Sequence, residues 1–528
     1  MTQPPATVPA ALARAAAQWP DGEALAEPGL RLTFSQELAR VREYARAVIA
    51  AGCGAGDRVA IWAPNSIAWV LAAYGAYAAG CVVVPVSTRF KAGEAEPVLR
   101  RSGARLLFTV PEFRGNHYLD LALGMDLPGL SIVTLSGGVP RPGAISLAEF
   151  LGHASTVPAA RQAGRESAIC GDDTATVLFT SGTTGRPKAV MLAHQASVRA
   201  FRDYGRTLGF RPGDRQLGIP PFFHGFGLHG CLLTSLLAGA TVLPVPVFDT
   251  AAVAGLIDRE RVTVLSGPPT VYLGLLECAE ADSSQFRSLR LGIVGATSFS
   301  RADFAAARDG LGLEVIASGY GLTETTTFVS TTSDHDDFEV VATTSGRPGE
   351  GIEVRIADDD GWDCLPGEDG QILVRGYTVM RGYLDDDIGD SIDPDGWLYT
   401  GDIGHLDPAG RIVVVDRKKD MFIVGGFNAY PAEIEKMLTT RADIAEAAVI
   451  GVPDRRLGEV GKAFVVPQAG NVIDPAELIG WCREHMANYK VPRAVQVVQA
   501  LPRNTTGKVL KYELRAAESA RRPPGERS

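Results

Sequence analysis

Between Phe179 and Lys188 the chain reads Phe-Thr-Ser-Gly-Thr-Thr-Gly-Arg-Pro-Lys. The hydroxyls of Thr180, Ser181, Thr183 and Thr184 are interleaved with Gly182 and Gly185, and Arg186 and Lys188 follow. Glycine lets a backbone approach an anion closely, and hydroxyls and free N–H groups donate to phosphate oxygens. With cations beside them, these residues suit the phosphates of a nucleoside triphosphate. The pattern is not a P-loop, which needs Lys directly after the last Gly and then Ser or Thr. Here Arg186 and Pro187 intervene, and Ala189 follows Lys188.

Three further segments carry chemistry-bearing types. Ser318-Gly319-Tyr320-Gly321-Leu322-Thr323-Glu324 follows a strand-like run at Val315. Glu324 stands where a dinucleotide fingerprint has its last Gly, which excludes that motif. Tyr320 offers a face for a base, Thr323 a hydroxyl, and Glu324 a hard oxygen ligand suited to Mg²⁺. A plain strand-to-helix turn capped by Thr323 accounts for the same residues. Tyr399-Thr400-Gly401-Asp402 places an acid at a strand end, as a ribose partner or simply in a tight turn. Lys508 closes the loop Leu501-Pro-Arg-Asn-Thr-Thr-Gly, from which it can reach a distant site or stay solvated.

The elements that must position these groups read as α/β. Helical spacing covers Val8–Trp19 and Arg40–Ala51, and strands are expected at Arg58–Trp62, Arg105–Val110, Val262–Leu265, Leu291–Val294 and Glu314–Ala317. Short apolar strands separated by helices imply layered, mostly parallel sheets. Ile67–Val86 has the length of a membrane span without a charge, but Gly75, Gly80 and a β-branched end make it a buried helix, a Gly stop and a buried strand. From about Gly346, segments Ile352–Ile356, Gln371–Arg375 and Arg411–Val415, divided by Gly, Pro and Asp, read as a small β region. The rest alternates strand and helix, with helices at Pro431–Thr440 and Pro475–Met486 and strands at Ala447–Val452 and Lys462–Val466. The expected division is 1–417 as a large N-terminal domain of layered α/β subdomains plus the small β region. Residues 418–528 then form a small α+β domain.

Composition bounds the function. The 528 residues exceed what one core usually supports, so more than one domain is expected. A net charge of −10 argues against a nonspecific nucleic-acid binder. Seven scattered cysteines without a C-x-x-C pair suit reduced thiols, and neither a signal peptide nor a zinc spacing is recognisable. A cytoplasmic protein without a membrane span is expected, with a homodimer left open.

The ordered set T-S-G-T-T-G-x-P-K, P-F-F-H-G-F-G, Y-G-L-T-E, Y-T-G-D, D-R-K-K-D and P-R-N-x-x-G-K resembles the ANL superfamily of adenylating enzymes from about Thr33 to Leu514. Within it, Asp416–Met421 and Gly425–Pro431 are most similar to the fatty-acid and alicyclic-acid CoA ligases, including actinobacterial ones that act on steroid ring remnants. The resemblance implies an ATP-dependent acid–CoA ligase with Mg²⁺, making an acyl-adenylate and then a coenzyme A thioester. It implies that Thr180 to Lys188 hold the β- and γ-phosphates, that Glu324 with Thr180 binds Mg²⁺, and that Thr323 contacts the α-phosphate. Tyr320, between Gly319 and Gly321, would stack on adenine, with Gly295, Ala296 and Thr297 on its other side. Asp402 and Arg417 would hold the ribose, and Lys508 would bridge carboxylate and nucleotide. Lys419 would be the hinge that makes residues 418–528 a mobile domain, and Gly425-Gly426-Phe427 the pantetheine passage.

His224 stands where amino-acid-activating relatives carry Asp, which suits an uncharged acyl chain. Gly225, Gly227, Gly230 and Gly319 are expected to leave space for a bulky apolar acid. Gln371, Thr297-Ser298 and Val424 depart from the common pattern without removing a named group. The alternatives are an enzyme of one half-reaction working with a partner or another thiol acceptor, and a catalytically dead relative.

Overall fold

The computed structural model describes residues 4–521 except 138–140, 181–187, 296–298, 359, 385–390, 418–419, 425–426, 455–456, 487 and 504–506. The chain divides into two compact units. One comprises Met1–Glu353 and Val374–Leu398, the other Val354–Leu373 and Tyr399–Ser528.

The first unit holds two large sheets. In one, Val82–Pro85, Arg58–Trp62, Ala104–Thr109, Ser131–Thr134 and Ala144–Ser146 run parallel in that order. On the other side of Val82–Pro85 lie Thr174–Thr180, Lys188–Ala193 and Gly382–Tyr383. In the other sheet, Val315–Tyr320, Leu291–Val294, Val264–Gly267, Arg215–Gly218, Thr241–Pro244 and Glu23–Glu27 form the parallel centre. Leu291–Val294 and Val82–Pro85 are fully buried runs without a charged residue, as strands covered on both faces require.

The uncharged run folds as expected. Helix Ile67–Ala78 starts at Ser66, whose hydroxyl accepts from the Trp69 N–H at 3.2 Å, and Gly80 leaves it at φ 74° before the strand Val82–Pro85. A Cβ at Gly75 would overlap the Tyr44 Cβ, so this glycine lets the helix press against helix Phe34–Ala50. Among the described residues no helix is long and apolar enough to cross a membrane. Helix Phe34–Ala50 begins six residues before the Arg40 start read from composition. The reason is a capping box: the Thr33 hydroxyl accepts from the Gln36 N–H, and the Gln36 side chain accepts from the Thr33 N–H.

In the second unit most of a four-stranded sheet is built in the order Ile352–Ala357, Gly370–Gly376, Leu398–Leu406, Ile412–Arg417. A five-stranded sheet follows, with Phe427–Ala429, Phe422–Val424, Gly458–Pro467 and Ile444–Asp454 antiparallel and Ala494–Val497 added parallel. Its edge strand Ile444–Asp454 shows the two-residue period directly. Val449 joins the core of Ile434, Leu438, Val465 and Leu478, while Ala448 and Ile450 join that of Phe464, Leu501 and Leu514.

Candidate active site

The Y-G-L-T-E segment departs from the strand-then-turn expectation. The strand Val315–Tyr320 runs on through Gly319 and Tyr320, which pair antiparallel with Thr331 and Ser330. A 3₁₀ turn, Thr323–Thr325, follows instead of a helix. Both Thr323 and Glu324 are half-buried. The Met380 N–H donates to the Glu324 carbonyl at 2.8 Å, and the Tyr383 hydroxyl donates to Glu324 Oε1 at 3.5 Å. Lys188 Nζ lies 4.8 Å from the centre of the same Tyr383 ring. Burial and the Glu324 charge push the Tyr383 hydroxyl up to about 12, so it remains a donor at neutral pH. Lys188 faces Thr180 across the hairpin of Thr174–Thr180 with Lys188–Ala193, so the two ends of the phosphate-type loop are held in register. The loop's own Ser181, Gly182, Thr183, Thr184 and Gly185 lie outside the described residues.

His224 sits in a loop pinned by buried Asn65. The Asn65 amide donates to the carbonyls of Gly218 and Pro220 at 2.8 and 3.1 Å, and its carbonyl accepts from the Phe222 N–H at 2.9 Å. The Phe226 N–H donates to His224 Nδ1 at 3.2 Å. That bond needs a lone pair on Nδ1, so the neutral ring carries its proton on Nε2, and burial lowers its pKa in the same sense. A half-buried neutral N–H donor suits an uncharged oxygen and offers nothing to an ammonium. Directly after it the chain forms an eight-residue π-helix, Phe226–Leu233, a form often found at functional sites. His229 on this π-helix is buried, stacks on Phe201 at 5.2 Å, and has its pKa lowered to about 3 by burial and by His224.

The glycines do not leave the open space expected of them. A Cβ at Gly225 would overlap the Thr327 methyl, and one at Gly227 the Pro221 carbonyl. At Gly230 it would meet the Phe226 ring at 2.7 Å, and at Gly319 the Ser330 carbonyl oxygen at 2.8 Å. These positions are small because protein atoms already fill them. Gly295 follows the strand Leu291–Val294, with the Phe226 ring 3.8 Å from where its Cβ would be. Ala296 and Thr297 lie outside the described residues. Thr326 and Thr327 adopt left-handed φ angles of 54° and 60°. Such a conformation costs a non-glycine residue about 1–2 kcal/mol.

In the second unit, Asp402 is in the middle of the nine-residue strand Leu398–Leu406, not at a strand end, and directly opposite Arg417 in the antiparallel ladder. Its backbone N–H donates to Thr400 Oγ1 at 3.1 Å, and the Thr400 hydroxyl donates to the Ile372 carbonyl at 2.7 Å. The side chains of Arg417 and Phe427, and all of Lys419, Gly425 and Gly426, lie outside the described residues. Lys508 is exposed. Its loop is closed by an antiparallel bridge between Arg503 and Val509 and by the Leu510 N–H donating to the Pro502 carbonyl at 2.8 Å. Gly507 turns at φ 87°, and the Arg503 guanidinium donates to its carbonyl and, at 2.7 Å, to Glu446.

Two residues of the site escaped sequence reading. Tyr383 sits in Arg381-Gly382-Tyr383, with no repeated glycine or charge to flag it. Asn65 stands beside Ser66 before an apolar run, in no recognisable motif. Only its burial identifies it.

In the first unit a carboxylate and a cation, Glu324 and Lys188, meet at Tyr383 on a parallel α/β scaffold, an arrangement compatible with an adenylate-forming enzyme. The AMP-binding enzyme model matches residues 12–384, and the AMP-binding enzyme C-terminal domain model matches 433–508. The chain is 42% identical over 522 residues to a 3-[(3aS,4S,7aS)-7a-methyl-1,5-dioxo-octahydro-1H-inden-4-yl]propanoyl:CoA ligase of Rhodococcus jostii, covering 98% of this chain and 99% of that one. It is 43% identical to a Mycobacterium tuberculosis ligase of the same name, over 96% of this chain and 98% of that one. Among solved structures, the anthranilate CoA ligase AuaEII in complex with anthranoyl-AMP superposes with a TM-score of 0.87 at 29% identity, covering 97% of both chains. The chain belongs to the AMP-binding enzymes of the ANL superfamily. It is an ATP-dependent, AMP-forming acyl-CoA ligase, using ATP, Mg²⁺ and coenzyme A. The Glu324 carboxylate and Thr180 hydroxyl are hard oxygen donors of the type Mg²⁺ takes.

Proposed function

We propose that this ligase activates a bulky alicyclic carboxylic acid, of the propanoate-bearing fused-ring type. The observation that carries this reading is the 42–43% identity, over nearly the whole chain, to two ligases named for such an acid. The neutral His224 ring agrees with it, since its N–H can meet a ketone or carboxylate oxygen.

The residue roles are those the family resemblance implies, and the charges of the groups are compatible with them. The substrate carboxylate attacks the α-phosphorus of ATP, a bond to the bridging oxygen breaks, and pyrophosphate leaves. Lys508 brings these two anions together and stabilises charge building at phosphorus. Glu324 with Thr180 engages Mg²⁺, while the Thr180–Lys188 loop holds the β- and γ-phosphates. Thr323 contacts the α-phosphate. Tyr320 stacks on adenine beside Gly295, Ala296 and Thr297, and Asp402 and Arg417 take the ribose hydroxyls. The coenzyme A thiol then attacks the acyl carbonyl and AMP departs. For that step residues 418–528 turn as a domain on Lys419 relative to 1–417, and Gly425-Gly426-Phe427 line the pantetheine passage.

The test is incubation with ATP, Mg²⁺, coenzyme A and single acids, read by mass spectrometry for acyl-AMP and acyl-CoA. Fused-ring propanoates should give acyl-CoA at a higher kcat/KM than straight-chain or aromatic acids. Equal or better turnover of a straight-chain acid overturns the substrate assignment.

A further inference from the structure

Consecutive left-handed residues that are not glycine are uncommon, and a pair of β-branched ones more so. Strain of this kind persists only where the surroundings over-determine it. Around Thr326 and Thr327 they do. The Thr327 N–H donates to the Leu322 carbonyl at 2.7 Å and the Thr326 N–H to the Thr323 carbonyl at 3.1 Å, closing the turn that carries Glu324. The buried Thr326 hydroxyl donates to the Thr378 carbonyl at 2.7 Å. Thr378 begins the segment whose Met380 N–H and Tyr383 hydroxyl reach the Glu324 backbone and carboxylate.

From the other side, the Thr327 methyl occupies the space a side chain at Gly225 would need, and the Thr327 carbonyl the space one at Gly321 would need. The Thr327 hydroxyl donates to the Thr326 carbonyl at 2.6 Å, which leaves its oxygen to accept from His229 Nδ1 at 3.5 Å. One strained pair therefore touches the glycine after His224, the π-helix, and both sides of the Glu324 turn.

We propose that Thr326–Thr327 is a positioning element for adenylation, which fixes the aim of Thr323 and Glu324 and couples it to the loop that carries His224. This role presupposes that Glu324 engages the metal–triphosphate. Thr327→Gly keeps the φ angle accessible and removes the grip. It should lower kcat for acyl-AMP formation on the order of tenfold to a hundredfold and raise the Mg²⁺ concentration for half-maximal rate, with KM for the acid changed far less. Gly225→Ala drives a methyl into Thr327 and should show the same signature. Gly225→Ala/Thr327→Ser removes the colliding methyl and should regain most of the rate lost by Gly225→Ala.

Wild-type kcat and Mg²⁺ dependence in Thr327→Gly, or a double variant no better than Gly225→Ala, would overturn the proposal. Glu324→Gln run in parallel separates the two ideas. If it is crippled while Thr327→Gly is unaffected, the positioning role alone fails. If Glu324→Gln is itself unaffected, the reading of Glu324 fails and the positioning role with it.

Discussion

The two units place their reactive groups by opposite means. In the first, Glu324, Tyr383 and Lys188 are held by a part-buried hydrogen bond, a cation–π contact and a strained turn, and His224 by an Asn65-pinned loop. In the second, Lys508 sits exposed on a short hairpin closed by the Arg503–Val509 bridge, the Leu510–Pro502 hydrogen bond and the Arg503 guanidinium. A group whose partners stay the same through both half-reactions gains from preorganisation. On the role proposed for it, a lysine that serves only adenylation would gain from a place on a surface loop.

The contrast can be broken at several points. The largest effect is expected at Gly426→Trp, which should cut thioester formation from preformed acyl-adenylate by about a hundredfold or more, as when a reacting group is misplaced. Its acyl-AMP formation should stay near wild type; equal loss of both steps, followed by rapid quench, would remove the passage assignment. Next is Tyr383→Phe, which removes a hydroxyl that donates to Glu324 and should lower kcat/KM for ATP about tenfold, as for a hydrogen bond to a charged group. An unchanged steady-state ATP titration would mean that the tyrosine only packs.

A smaller, titratable effect belongs to the buried imidazoles. His229 and His194 are neutral in the fold, with pKa values lowered to about 3 and about 4, against 6.5 for a free histidine. Between these values the unfolded chain binds protons that the native chain does not, so their contribution to stability is present above pH 6.5 and is lost as pH falls. Denaturant unfolding at pH 7, 6 and 5 should show this decline, and His229→Gln should flatten it. The smallest effect is expected at Arg503→Ala, where an exposed pair with Glu446 is lost. Global stability should change by less than about 1 kcal/mol, measured by the same unfolding method.

What was readable beforehand follows the same division. Leu291–Val294 and Arg58–Trp62 fall where their apolar runs placed them, because a strand buried on both faces writes itself as a continuous run. The start of helix Phe34–Ala50 was missed because its signal is the Thr33–Gln36 reciprocal cap and not the Ala/Arg-rich body. Asp402 was placed at a strand end because Gly401 reads as a turn. In the fold that glycine, at φ 74°, lies within the strand, beside a register shift between Ile403 and Gly404. The glycines near His224 were misread as ligand space because a missing side chain looks the same in sequence whether a substrate or Thr327 fills the gap. Tyr383 and Asn65 acquire meaning only through partners far along the chain, such as Glu324 and Phe222.

The most direct test measures both half-reactions in Lys508→Ala, with acyl-AMP formation from acid and ATP beside thioester formation from preformed adenylate and coenzyme A. Adenylation should fall by about 10²–10³-fold, as for the loss of a group stabilising transition-state charge, while thioester formation stays within a few-fold of wild type. Loss of both steps to the same extent would contradict the division of labour between the two units.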